Sequence, residues 1–166
     1  MTADHVDFVL RQWAEERPDL DVSPMAVLGR LKRLMRVVEA EQNRTFAAHG
    51  LDAASFDVLM TLRRSGPPYR LTPTELKNSA MVTSGAISQR LDRLEGRGLV
   101  RRTASEQDGR SVRVELTDEG GALVDRALPD HLATGNRLLA GLPDAEHEAL
   151  AGVLRLLLGS LGDAMP

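Results

Sequence analysis

A mostly α-helical chain carrying one small β wing is the fold class this sequence predicts, and three observations predict it. Apolar residues recur at helical spacing along most of the length. Alternation of apolar and polar residues is confined to one short run, Val112 to Leu116. Between Leu71 and Leu116 the local signals order themselves as helix, tight turn, helix and two-stranded hairpin.

From the N-terminus, Asp4 to Arg17 is expected to be helical, with Val6, Val9, Leu10 and Trp13 on one side. The acidic stretch from Pro18 to Pro24 breaks it. A long helix follows over Met25 to Ala48, carrying Val27, Leu28, Leu31, Leu34, Met35 and Val38, and Gly50 stops it. Ser55 to Arg64 is a short helix with Phe56, Val58, Leu59 and Leu62, ended by Ser65-Gly66-Pro67-Pro68.

The next segment carries the sharpest signals. Thr72, Pro73 and Glu75 start a helix: a hydroxyl caps free amides, proline fits the first helical position, and the acid sits three residues after the cap. A turn falls near Met81 to Ser84, where Thr83 or Ser84 can cap the following helix. Ile87, Leu91 and Leu94 mark that helix's buried stripe. Gly85, Ser88, Gln89, Asp92 and Arg93 share its other face, and Gly96 and Gly98 end it. Val100 to Thr103 and Val112 to Leu116 pair as strands around Ser105 to Gly109, leaving Arg110 near the tip. Thr117 caps another helix, Asp118 to about Leu139, with an interruption expected at Pro129. Pro143 opens the last helix, whose Leu150, Val153, Leu154, Leu157, Leu158 and Leu161 make a broad apolar face.

Helix, turn, helix and wing in that order is a winged helix-turn-helix, a shape that lays one helix in a DNA groove. Charge agrees with it. Arg70 to Arg113 holds nine basic residues against five acidic ones, a balance of +4 inside a chain of formal charge −3, so the remainder carries −7. A basic module in an acidic protein is a local phosphate footprint. Short polar and amide side chains at Ser88 and Gln89, with Arg93 beside them, suit base edges and phosphates. The expected DNA contacts are Thr83, Ser84, Ser88, Gln89, Arg93 and the wing's Arg110.

Composition excludes other classes. The 166 residues are most simply one domain, 1–166, with an extra N-terminal helix and linker over 1–24 and a winged lobe over 52–117. Residues 25–49 and 118–166 form a helical scaffold and dimerisation region built from both chain ends. There is no cysteine, hence no disulfide framework and no thiolate metal site. His5, His49, His131 and His147 lack ligand spacing, so no metal is expected. No GxSxG or glycine-rich phosphate loop is present, so neither an enzyme nor a cofactor is expected. No signal-peptide pattern or bilayer-length apolar run is seen, which leads to an expectation of a cytoplasmic protein without membrane contact. The competing class is a helical protein-interaction module without DNA binding. It accounts for the apolar last helix but not for the basic wing.

From about Met25 onward the chain resembles the MarR family of transcriptional regulators. Ser84–Val100, SGAISQRLDRLEGRGLV, is similar to that family's recognition helix. Asp108-Gly109-Arg110 followed by Leu116–Gly120, LTDEG, is similar to its wing-to-helix signature. The resemblance implies a homodimer that binds double-stranded DNA, usually represses a nearby gene, and lets go when a small molecule binds. Trp13 on an added helix, ERPDLDVSPM at Glu16–Met25 and FDVL at Phe56–Leu59 further resemble the urate-responsive subgroup. That likeness implies a ligand site at Trp13, Asp57, Arg90 and Arg102. One departure is Ala80, where the subgroup generally has a larger apolar residue. The physical reading of the same residues leaves two arrangements open: a permanent Asp57–Arg90 ion pair beside a core tryptophan with no ligand, or an anion site in which a planar ligand competes for Arg90 and stacks on Trp13. Arg90 lies near the buried side of its helix and Asp57 lies between Phe56 and Val58, so each charge needs a partner. Urate or a related purine, a small polycarboxylate and a phenolic ligand all meet that chemistry.

Overall fold

The structure is a computed structural model, and it describes residues 3–80, 87–104 and 112–163. The elements run α1 (His5–Glu16), α2 (Ser23–Ala48), α3 (Ala53–Arg64), β1 (Arg70–Leu71), α4 (Pro73–Ser79), α5 (Ile87–Gly96), β2 (Val100–Ala104), β3 (Val112–Leu116), α6 (Asp118–Leu139) and α7 (Asp144–Ser160). The chain divides into two compact units, Met1–Ala53 and Ala54–Pro166.

In the first unit, Asp4 caps α1 by accepting from the amides of Val6 and Asp7, and the Asp7 carboxylate returns a bond to the Asp4 amide. Arg30 of α2 then grips both acids. Its Nε lies 2.8 Å from Asp4 Oδ2 and its Nη2 lies 2.6 Å from Asp7 Oδ1. Val6, the one buried side chain of α1, sits over Gly29, where an added methyl group would stand 3.4 Å from its Cγ1. The α1–α2 contact thus includes an apolar knob and an ion-pair cluster.

The second unit holds the winged lobe. Its fully buried side chains include Leu59 and Leu62 of α3, Leu76 of α4, Leu94 of α5, Val100 and Val114 of the sheet and Val124 of α6. Helices α3 to α6 and strands β2 and β3 thus contribute to a closed interior. The expected capping box is present: Thr72 Oγ1 accepts from the Glu75 amide at 3.2 Å, and Glu75 Oε2 accepts from the Thr72 amide at 2.7 Å. The Thr72 backbone N–H, joined by its hydroxyl, holds the Glu75 carboxyl below its usual range.

Three expectations are corrected. The wing is a three-stranded sheet of order β1-β3-β2, not a lone hairpin. Arg70 and Leu71 pair with Glu115 and Val114, so β3 is the central strand. Two residues carry no readable period, and only the partner reveals them as a strand. Pro129 lies within a continuous α6 and does not interrupt it. It is exposed, so its ring faces solvent while Val124 and Ala127 keep the helix anchored. Val112 is 45% exposed although it shares the alternating pattern of the buried Val114 and Leu116. It pairs with Ala104 at the wing end of the sheet, beyond the interior that covers the other two.

The junction between β2, β3 and α6 is tight. Gly98 turns the chain out of α5 with φ of 70°. Thr117 Oγ1 donates to the Gly98 carbonyl at 2.7 Å and accepts from the Gly120 amide at 3.0 Å, capping α6 while tying it to the exit of α5. At Gly120 a side chain has no room: a Cβ there would lie 2.1 Å from the Leu99 carbonyl oxygen. The glycine of the LTDEG run is thus a close-approach residue.

Candidate nucleic-acid interface

Helix α5 is strongly two-faced. Leu91 and Leu94 are buried and Ile87 is half-buried, whereas Ser88, Gln89, Asp92 and Arg93 are exposed. This is the arrangement expected of a helix that rests on the lobe and offers its polar side outward. Arg101, on the flanking β2, is also exposed and pairs with Glu115 directly across the sheet at 2.6 Å. That guanidinium holds the Glu115 carboxyl below its ordinary range. Thr83, Ser84 and Arg110 lie outside the described residues, as does the turn expected near Met81 to Ser84.

The predicted ligand residues fall on four elements. Trp13 is on α1 in the first unit and is 40% exposed, so it is no core tryptophan within one chain. Asp57 on α3 and Arg90 on α5 are each half-buried. Arg102 on β2 is engaged by neighbours. Its Nη1 lies 2.6 Å from Glu95 Oε2, its Nη2 lies 2.6 Å from Asp92 Oδ1, and its backbone amide donates to Glu95 Oε1 at 2.8 Å. The same Nη2 reaches the Ser88 carbonyl at 3.4 Å, so two of the predicted site residues touch directly. Hydrogen bonding to Asp92, joined by that to Glu95, pushes the Arg102 guanidinium up from its usual value.

Sequence reasoning missed a second cluster that braces the lobe. Arg63 near the end of α3 donates through Nε to Asp125 Oδ1 of α6 at 3.0 Å and through Nη1 to the Tyr69 hydroxyl at 3.0 Å. Tyr69 adopts φ of 57°, and its carbonyl accepts from the Leu116 amide at 3.1 Å, which leads the chain into β1. A non-glycine residue in that left-handed region is uncommon, and here the surrounding bonds hold it. Only the basic pair Arg63-Arg64 before a proline-rich turn hinted at this contact. No group of acids and histidines able to hold a metal ion occurs among the described residues. No helix among them is long and apolar enough to cross a membrane.

A closed lobe with an outward polar helix and a sheet hairpin beside it is a winged-helix DNA reader. Residues 49–111 match the sequence model of the MarR family. The chain is 40% identical over 149 residues to the HTH-type transcriptional regulator PecS of Dickeya dadantii, covering 90% of each protein. Two solved structures have the same fold and sequences of comparable distance. Sco3205 of Streptomyces coelicolor, a MarR-family regulator solved in complex with DNA, superposes with a TM-score of 0.77 at 26% identity, covering 86% of this chain and 89% of that one. BpsR of Bordetella bronchiseptica, whose DNA binding is regulated by 6-hydroxynicotinic acid, gives 0.72 at 27% identity, covering 84% and 94%. The chain belongs to the MarR family and is a DNA-binding transcriptional regulator, not an enzyme.

Proposed function

We propose that this regulator binds a pseudo-palindromic operator as a homodimer, usually as a repressor, and is released by a small anionic ligand, with urate the leading candidate. The observation that carries the DNA half is α5, with Ser88, Gln89 and Arg93 exposed above the buried Leu91 and Leu94. Two such helices would enter successive major grooves about 34–36 Å apart. Thr83 and Ser84 would add DNA contacts, and Arg110 would reach the minor groove or its phosphates. Arg110→Ala should weaken operator binding with little change in folding. Arg93→Ala should shift sequence preference by roughly 1–3 kcal/mol if it reads a base, and weaken all sequences evenly if it meets a phosphate. Selection on randomised duplexes distinguishes the two.

The ligand half rests on the likeness of Trp13, Asp57, Arg90 and Arg102 to the urate-responsive site. It is supported by BpsR, a relative of the same fold regulated by a planar aromatic acid. In this reading Trp13 stacks on the ligand or hydrogen-bonds it, Arg90 attracts its charge, Arg102 assists, and Asp57 senses it by repulsion. The ligand must bind the DNA-incompetent state more tightly, because equal affinity for both states shifts nothing. Titrating urate should quench Trp13 fluorescence and release operator DNA over one concentration range. Arg90→Asn should blunt both effects. Asp57→Ser should keep DNA binding and reduce release. If urate, 6-hydroxynicotinate and citrate at millimolar levels leave both signals unchanged, the ligand reading fails while the DNA reading stands.

A further inference from the structure

Two carboxylates on a helix that approaches DNA are a liability, since each repels the phosphate backbone. Asp92 and Glu95 are nevertheless both on α5, one turn apart, and both face the same guanidinium. Glu95 accepts from the Arg102 side chain and from the Arg102 backbone amide. With the longer contact to the Ser88 carbonyl, one residue of β2 grips three successive turns of α5. Ser88 and the neighbouring Gln89 are two of the side chains expected to meet base edges, and Arg93 lies between the two gripped acids in sequence. The Arg102 side chain is 31% exposed and that of Glu95 37%, so water only partly screens their bond.

We propose that Arg102 is a positioning residue: by holding Asp92 and Glu95 from β2, it fixes the rotation of α5 about its own axis and so aims Ser88, Gln89 and Arg93 at the DNA. The inference rests on α5 being the DNA-contacting helix. In this arrangement the acids are internal counter-charges, and removing them disturbs the aim of the helix more than it relieves repulsion.

The test uses the full-length protein, a duplex that the wild type selects from a randomised pool, and an unrelated duplex. Four variants are compared: Arg102→Gln, the double Asp92→Asn/Glu95→Gln, the combined triple, and Arg102→Lys. Thermal melts confirm that each is folded. Arg102→Gln and the double variant should each lower the ratio of selected to unrelated affinity, roughly 3- to 30-fold. The triple should be no worse than either, because all three remove the same contact. Arg102→Lys should recover part of the ratio. The salt dependence of binding should not change. The proposal is overturned if the double variant binds its duplex as tightly as, or more tightly than, the wild type. Additive effects, or a salt slope reduced by about one per site, would instead make Arg102 a direct phosphate contact. If the wild type selects no duplex at all, the DNA reading fails first and the positioning role falls with it.

Discussion

The winged lobe and the long helices solve the burial problem in opposite ways. From α3 to α6 the apolar residues face one another, and Leu59, Leu62, Leu76, Leu94, Val114 and Val124 are sealed from water within a single chain. Helix α7 has no buried residue: its Val153 and Leu156 are 61% and 77% exposed, and Leu161 just beyond it is 75% exposed. Helix α2 is similar: Val27, Leu28, Leu34 and Met35 are exposed, and of its side chains only Phe46 is buried. A sealed lobe needs nothing further to hold its shape. Open apolar faces of this extent on a folded protein mark surfaces that another molecule covers. The difference sets a lobe whose apolar residues are covered within one chain against two helices whose apolar faces are open, and the proposed homodimer would cover those faces.

The comparison breaks most readily at α7. Leu154 and Leu158 lie four residues apart, on one face. If α7 forms the seam of the proposed homodimer, replacing both with glutamate would place unpaired charges in it, each costing roughly 3–5 kcal/mol if left buried. Sedimentation should report a monomer that no longer binds the operator, while circular dichroism keeps the helical signal of the lobe. A soluble double variant that stays dimeric would put the seam elsewhere. The converse experiment is Leu94→Ala in the lobe. Deleting a fully buried leucine side chain should cost about 2–5 kcal/mol, read as a lower melting temperature, with the dimer intact below the melt.

A smaller effect is expected at Gly120. Alanine there collides with the Leu99 carbonyl, a backbone atom that cannot swing aside, so a loss of about 1–3 kcal/mol should appear in denaturant melts. Alanine at Gly29 in the first unit, by contrast, should be nearly neutral. Its methyl would meet Val6 at an ordinary contact distance of 3.4 Å. The smallest effect concerns acid. The Asp7 amide first and the Arg30 guanidinium second hold the Asp4 carboxyl down to about 2, from 3.8. Because the folded carboxyl titrates below the free one, the tie is complete above pH 3.8 and is lost as pH falls through about 2. Trp13 fluorescence should follow the loosening of α1, and Asp4→Asn should remove that acid transition without altering the melt of the lobe.

What could be read from the chain was what short-range chemistry writes into it. Thr72 with Glu75, Thr117 before Asp118, and the Leu91–Leu94 stripe are signals contained within one turn of helix, and all three are realised. Gly98, not Gly96, takes the left-handed exit from α5, a distinction of two residues that composition cannot make. Strand β1 was not legible because its identity comes from Glu115 and Val114, more than forty residues away. The grip of Arg102 on Asp92 and Glu95 was not legible either. It needs the turn at Gly98 to bring β2 back along α5, so sequence spacing alone assigned Arg102 no protein partner. Trp13, Asp57 and Arg90 came from resemblance to a known site, and their joint role is a matter for ligand titration.

Tyr69 and Trp13 are the only tyrosine and the only tryptophan of the chain. Tyr69 is clamped by Arg63 in the second unit, and Trp13 stands on α1 in the first. The protein therefore carries one optical donor and one optical acceptor, each fixed to a different unit. Phenol-to-indole energy transfer in the unmodified chain reports the separation of the two units, with no dye and no substitution. Recorded while DNA or a non-absorbing anion such as citrate is added, that transfer would tell a motion between the units from a change confined to either one.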